Sequence, residues 1–289
     1  MSANPTDEPA QGREGTRIGP DLWPRVAAAI VLGLAALAAT WFGGIVFVAF
    51  WWVASAIVLW EWQRLVGGER LAARVAAGAL LLALAALETL HNHALLSLAA
   101  LAAAALAVGA VAAPRDRIWA AAGALYAGAL VVSLGLLQTS PSYGLPAILW
   151  LFAIVWGADV AAYFAGRAIG GPRLWASVSP GKTWSGAIAG ALAGAALGLA
   201  LALVLVPGSI LMDEVFTLGL AAAIVSELGD LFESAVKRRF GVKDSSGLIP
   251  GHGGLMDRLD SFIAASAFAA VVAALNTRGS FIASGLFQW

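Results

Sequence analysis

The chain is expected to be an all-α, polytopic integral membrane protein of about nine transmembrane helices with a cytoplasmic N-terminus, and three observations support this. The 289 residues are 61% hydrophobic and 12% charged, where soluble domains carry about 25% charge. Apolar stretches long enough to cross a bilayer recur along the whole length, and mean hydropathy is +0.85. The basic residues crowd onto alternate connections between those stretches. There is no cysteine. Disulfides, thiolate metal sites and cysteine nucleophiles are therefore excluded.

Residues 1–23 read as a disordered cytoplasmic tail rich in Pro, Gly, Thr and Glu, with no short apolar core of the signal-peptide kind. Spans are then expected at about 24–42, 44–60, 72–88, 94–113, 118–137, 146–165, 186–206, 211–229 and 259–275. Gly43-Gly44 makes a tight hairpin between the first two. The third, fourth and seventh are built mainly of Ala, Leu and Gly, whose small side chains allow close helix contact. Residues 24–137 read as a scaffold. Residues 138–289 read as the catalytic region, with cytoplasmic segments at 166–185 and 230–258.

The charge pattern sets the topology. One side receives Arg13, Arg17 and Arg25, then Arg64, Arg70 and Arg74, then Arg115 and Arg117. It also receives Arg167, Arg173 and Lys182, and finally Lys237, Arg238, Arg239, Lys243 and Arg258. Of the 17 basic residues only Arg278 falls on the other side. The positive-inside rule places that basic side, and both large polar segments, in the cytoplasm and the C-terminus outside.

Three constellations carry chemistry. In Trp156-Gly-Ala-Asp159…Tyr163…Arg167, Asp159 and Tyr163 share a helix face. An aspartate at membrane depth either fixes packing through internal hydrogen bonds or serves a cation or substrate. In Ser179-Pro-Gly-Lys182-Thr183-Trp184, the Gly-Lys-Thr run lacks the leading glycine of a phosphate loop, and no strand is expected to lead into it. A Ser, Lys and Thr cluster just before a helix can still bind phosphate through free N–H groups and the helix dipole. Trp184 is placed as an interfacial anchor or a base-stacking surface. The third stretch runs from Ser226 to Asp260. It brings Asp230 and Ser234 to one helix face, then Lys237, Lys243, Asp244, His252, Gly253, Gly254, Asp257, Arg258 and Asp260. Two glycines after a histidine let backbone come close to a ligand. Asp159, Asp230 and Asp257 offer hard oxygen ligands suited to Mg²⁺, with Lys and Arg nearby to hold phosphate. This is equipment for phosphoryl or nucleotidyl transfer.

Ser234-Ala-Val-Lys237-Arg238, followed after four residues by Lys243-Asp244-Ser-Ser-Gly-Leu-Ile-Pro250-Gly-His252-Gly253-Gly254-Leu-Met-Asp257-Arg258-Leu-Asp260, resembles the signature of the phosphatidate cytidylyltransferases, or CDP-diglyceride synthases. The resemblance extends to the Asp159 and Lys182 stretches and covers about 145–275. Ser185 stands where the bacterial pattern often has Glu. The resemblance implies a bacterial inner-membrane enzyme that joins CTP to phosphatidate, giving CDP-diacylglycerol and pyrophosphate. It implies Mg²⁺ at Asp230 and Asp257 with Asp159 nearby, K⁺ as a second ion, membrane lipids as surroundings, a homodimer, and no nucleic-acid partner. Catalytic roles are expected for Asp159, Asp230, Lys237, Lys243, Asp244, His252, Asp257, Arg258 and Asp260. Substrate contacts are expected from Arg167, Ser179, Lys182, Thr183, Ser234, Gly253 and Gly254. Two other readings stand beside it. One is a CTP-dependent kinase of a membrane alcohol, which would release CDP. The other is a transporter, though no two halves related by inversion are visible.

Overall fold

The computed structural model describes residues 22–206, 208, 210–249 and 253–288. Nearly all of the 1–23 tail, and His252 with its neighbours Pro250 and Gly251, lie outside the described residues. Among the described residues nine α-helices follow in order: α1 (Leu22–Phe42), α2 (Gly44–Val66), α3 (Leu71–Leu90), α4 (Ala94–Val111), α5 (Arg117–Gln138), α6 (Gly144–Ile169), α7 (Trp184–Leu205), α8 (Met212–Arg239) and α9 (Met256–Asn276). A short antiparallel hairpin, β1 (Arg173–Trp175) and β2 (Ser179–Thr183), separates α6 from α7, and a 3-10 turn (Ile282–Leu286) follows α9. Among the described residues, eight helices, α2 to α9, are long and apolar enough to cross a membrane. The first expected span is present as α1, whose apolar part runs Ala27–Phe42.

Each expected span has its helix, with two changes that matter for the site. The last-but-one helix continues through Asp230 and Ser234 to Arg239, so the connection to α9 is 240–255. The last begins at Met256, which puts Asp257 and Asp260 inside it. The expectation that no strand leads into the Lys182 segment is overturned: β2 ends at Thr183 and runs directly into α7. The strand arises because Ser179-Pro-Gly-Lys-Thr doubles back on Arg173-Leu-Trp175, with Arg173 opposite Thr183 and Trp175 opposite Ser179. That pairing depends on a segment ten residues upstream and leaves no mark in local periodicity.

Helix α5 lies at the centre and is the most buried of the spans. An aromatic stack ties α2, α6 and α9 together: Trp51 lies on Phe262 at 5.4 Å, Phe262 on Phe152 at 4.8 Å, and Phe152 on Trp156 at 4.7 Å between ring centres. Ser133 on α5 donates to Ser266 on α9 at 3.0 Å. Beside the stack, α6 and α7 make the closest pairing of the bundle. Gly186, Gly190 and Gly194 of α7 lie against the backbone carbonyls of Ala162, Ala158 and Ile154, and a Cβ on any of them would stand 2.7–2.8 Å from those oxygens. A glycine every fourth residue keeps one face of α7 bare. This sets the distance from Asp159 on α6 to the hairpin before α7.

The connections divide between two ends. At one end, Ser246 reaches Glu61, Lys182 reaches Asp230, and Arg239 lies over the Trp119 ring at 4.8 Å. At the other, Gln138 donates to the Thr40 carbonyl at 3.2 Å and Asn92 to the Ser280 carbonyl at 2.7 Å, while Gln288 meets Tyr143. Gly43 alone separates α1 from α2, with φ +62°, which forms the tight hairpin expected there.

Candidate active site

A cavity of about 540 Å³ opens at the basic end of the bundle. Asp159, Tyr163 and Arg167 line it from α6, Arg173, Gly181, Lys182 and Thr183 from the hairpin, and Glu227 and Asp230 from α8. Three segments far apart in sequence therefore meet at one place.

At its centre, Lys182 bridges two carboxylates. Its Nζ lies 2.6 Å from Glu227 and 2.7 Å from Asp230. Glu227 and Asp230 are one helical turn apart on α8, so a single ammonium can reach both. Burial pulls the lysine pKa down, but Asp230 and Glu227 beside it more than reverse this and hold it above the ordinary lysine value. Lys182 is thus charged throughout the physiological range. Ser234 donates to Asp230 at 3.3 Å. Thr183 caps α7, its hydroxyl accepting from the Gly186 N–H at 3.2 Å. Ser185 bonds to the Gly170 carbonyl and to Thr183, which ties the hairpin to the end of α6. Arg167 donates to the Tyr163 hydroxyl at 3.0 Å, and Arg173 to the Gly181 carbonyl at 3.1 Å. Both arginines are exposed and line the cavity. Ser179 opens β2 opposite Trp175, and Trp184 is exposed at the start of α7.

A second polar cluster is built around Asp257 in the first turn of α9. Lys237 lies 2.7 Å from Asp257 and 2.7 Å from Glu233, which is fully buried. Asp257 also accepts from the Ser245 N–H at 3.0 Å, the Ser245 hydroxyl at 3.1 Å and the Gly254 N–H at 2.7 Å. Four donors therefore surround this one carboxylate. Lys237, expected at a phosphate, is here held between two carboxylates. Asp260 is buried and accepts from the Ser261 N–H at 2.8 Å. Lys243 and Asp244 are exposed in the connection, as is Arg258 on α9, which lies within electrostatic reach of Asp159.

The glycines at 253 and 254 do let backbone approach closely, but what comes close is protein. Gly253 takes φ +80°, and a Cβ there would meet Asp257. At Gly254 a Cβ would collide with Ser245 and with the carboxylate of Glu61.

The structure thus brings Asp159, Asp230, Arg167, Lys182 and Thr183 around one cavity and leaves Asp257 outside its lining. Glu227 and Glu233 stand in the acidic run of the Ser226–Asp260 stretch, where Glu233 is expected on one side of the helix with Ser226 and Asp230, but neither has an expected site role, and Glu61 is not expected at all. Glu227 lies one turn before Asp230 on α8. Glu233 lies one turn after it. Glu61 sits in Trp60-Glu-Trp-Gln-Arg64 near the end of an apolar span, where an ionisable residue is itself a pointer to function.

Among the described residues no three carboxylate or imidazole groups converge as a ready metal centre. The donor set nevertheless suits a hard cation: Asp159, Glu227 and Asp230 offer only oxygen to the cavity, and a positively charged group, the Lys182 ammonium, already lies between two of them.

The chain matches the Cytidylyltransferase family over residues 23–276. It is 43% identical over 249 residues to a phosphatidate cytidylyltransferase of Brucella suis biovar 1 (strain 1330), covering 86% of this chain and 91% of that protein. It is 41% identical over 236 residues to a phosphatidate cytidylyltransferase of Pseudomonas aeruginosa, covering 77% and 85%. A phosphatidate cytidylyltransferase of Haemophilus influenzae matches over 145 residues at 42% identity, covering 49% and 50%.

Proposed function

The chain belongs to the Cytidylyltransferase family, and we propose that it transfers CMP from CTP to phosphatidate, giving CDP-diacylglycerol and pyrophosphate. The observation that carries this reading is the Lys182 bridge between Glu227 and Asp230, set beside Arg167 and Arg173 in one cavity. Two polyanions must meet in this reaction. A phosphatidate oxygen bonds to the α-phosphorus of CTP, and the bond from that phosphorus to the pyrophosphate oxygen breaks. The nucleophile is an ionised phosphate already, so no side chain needs to take its proton. The demand on the protein is charge neutralisation and alignment.

The chain's own residues divide that work. Arg167 and Arg173, exposed at the cavity, bind phosphate oxygens, for which the forked guanidinium is suited. Lys182 supplies a fixed positive charge at the cavity centre. Asp230 and Asp159 would hold the divalent cation, and Asp257 would join them by giving up the Lys237 ammonium that now sits on it. Bound Mg²⁺ would neutralise phosphate oxygens and make the α-phosphorus a better electrophile. The basic end of the bundle would face the cytoplasm of a bacterial inner membrane, where CTP is available, with the lipid tails remaining in the bilayer.

The test is to incubate purified protein with phosphatidate, Mg²⁺ and each of the four NTPs. Pyrophosphate and a CDP-lipid, formed with CTP only, are the expected products. CDP with a phosphorylated lipid alcohol would make the protein a kinase instead.

A further inference from the structure

The carboxylate of Glu61 faces neither the cavity nor solvent. It stands near the end of α2 with no exposed surface. No lysine or arginine is paired with it among the described ion pairs. Among the described residues its three partners lie in the connection from α8 to α9 and at the first residue of α9. It accepts from the Ser246 hydroxyl at 2.6 Å, the Leu255 N–H at 2.9 Å and the Met256 N–H at 2.6 Å. The last two are amides at the start of α9 that have no acceptor within the helix, where the helix dipole favours a negative charge. Burying a carboxylate is expensive unless it is hydrogen-bonded. Among the described residues this one is bonded to backbone N–H groups and a hydroxyl 185 to 195 positions away in the chain.

The neighbours of Glu61 are fixed. Trp62 donates to the Trp119 carbonyl and Gln63 to the Ala120 carbonyl, each at 2.8 Å, so this turn of α2 is pinned to α5. On the other side, Asp257 gathers Ser245 and Gly254. The connection is therefore held by two carboxylates. One is its own, at the head of α9. The other comes from the first half of the molecule. Gly254 lies between them with no room for a side chain.

We infer that Glu61 is a positioning residue for the reaction. It holds Ser246, Leu255 and Met256 so that Asp257, Lys243 and Asp244 keep their places relative to the cavity, without itself touching substrate. This rests on the cytidylyltransferase reading for its activity readout, and on geometry alone for its second readout.

The experiment uses the full-length protein with Glu61→Gln and Ser246→Ala. In Glu61→Gln an amide N–H₂ replaces one acceptor oxygen, so a donor faces donors. Its kcat should fall about 10–100-fold, the usual cost of losing a partner that orients an active group. KM for CTP should stay within about threefold, since no substrate contact is removed. The bulk melting temperature should hold, while tryptic cleavage after the exposed Lys243, followed without substrate, should quicken several-fold. Ser246→Ala removes one anchor without stranding a charge and should show both effects more weakly. A folded Glu61→Gln protein with wild-type kcat, or one with reduced kcat and unchanged cleavage at Lys243, overturns the inference. Should Glu61→Gln fail to fold, Ser246→Ala decides, and wild-type kcat and cleavage in it overturn the inference equally. An unmodified protein inactive on CTP and phosphatidate would instead defeat the proposed function, and the cleavage comparison would still report whether Glu61 holds the segment.

Discussion

Two charged side chains decide how the cavity responds to substitution. Asp230 faces the cavity and shares Lys182 with Glu227. Replacing Asp230 by Asn keeps its shape and removes its charge. Turnover should fall by more than about 100-fold, since even partners beyond a metal's ligands cost 10–100-fold when lost. A Mg²⁺ titration of the steady-state rate checks this. Normal turnover with unchanged Mg²⁺ dependence in both Asp230→Asn and Asp257→Asn would remove the metal proposal. Lys182 behaves differently, because it also neutralises its neighbours. Lys182→Met leaves Glu227 and Asp230 side by side with no cation between them. The pair is partly solvated, so the loss of stability should be roughly 1–3 kcal/mol rather than the larger cost of breaking a fully buried pair. A thermal shift measurement reads it, and high Mg²⁺ should restore part of the loss in this variant, since a cation can take the vacated position.

The element that sets the site's dimensions is the glycine face of α7. Gly190 packs where a Cβ would stand 2.8 Å from the Ala158 carbonyl, one residue before Asp159. Gly190→Val forces the two helices apart, and overpacking of this kind costs about 1–3 kcal/mol or more. The added distance also separates Asp159 from Lys182. Activity should therefore fall further than stability alone accounts for, which parallel melting and rate measurements would show. Gly33→Ala on α1 is the matched control. Its Cβ would meet Trp156 at an ordinary 3.8 Å, and the folded yield should be unchanged. If Gly190→Val matches that control in rate and melting, the glycine face does not govern the site.

For the whole molecule, the two sets of connections make a prediction about orientation. Every basic residue of the described bundle except Arg278 lies in or beside the end that carries the cavity. The absence of cysteine from the chain allows single cysteines to report position. Cysteine at the exposed positions Ser142, Asp213 and Ser280 should react with an impermeant reagent from outside the cell, and cysteine at the exposed Glu69 should not. Labelling at Glu69 with protection of two of the other three would invert the orientation.

The helices, their order and the side on which charge collects could be read from sequence, because each depends on local properties: apolar length, small-residue content and the run of basic residues between spans. The same holds for Asp159, Lys182 and Asp230, which stand out as charge within apolar surroundings. The partners of those charges could not be read in this way. Lys182 lies 45 positions from Glu227, and Glu61 lies 185 from Ser246. Such pairs form only when helix packing brings two distant turns within 3 Å, and no periodicity records that distance. The hairpin before α7 belongs to the same class, since it exists through pairing between strands too short to show alternation. Asp257 shows the difference most clearly. Its sequence position marked it as chemically important, but only the folded connection, with Glu61 behind it, showed which donors a buried carboxylate must gather to be stable there.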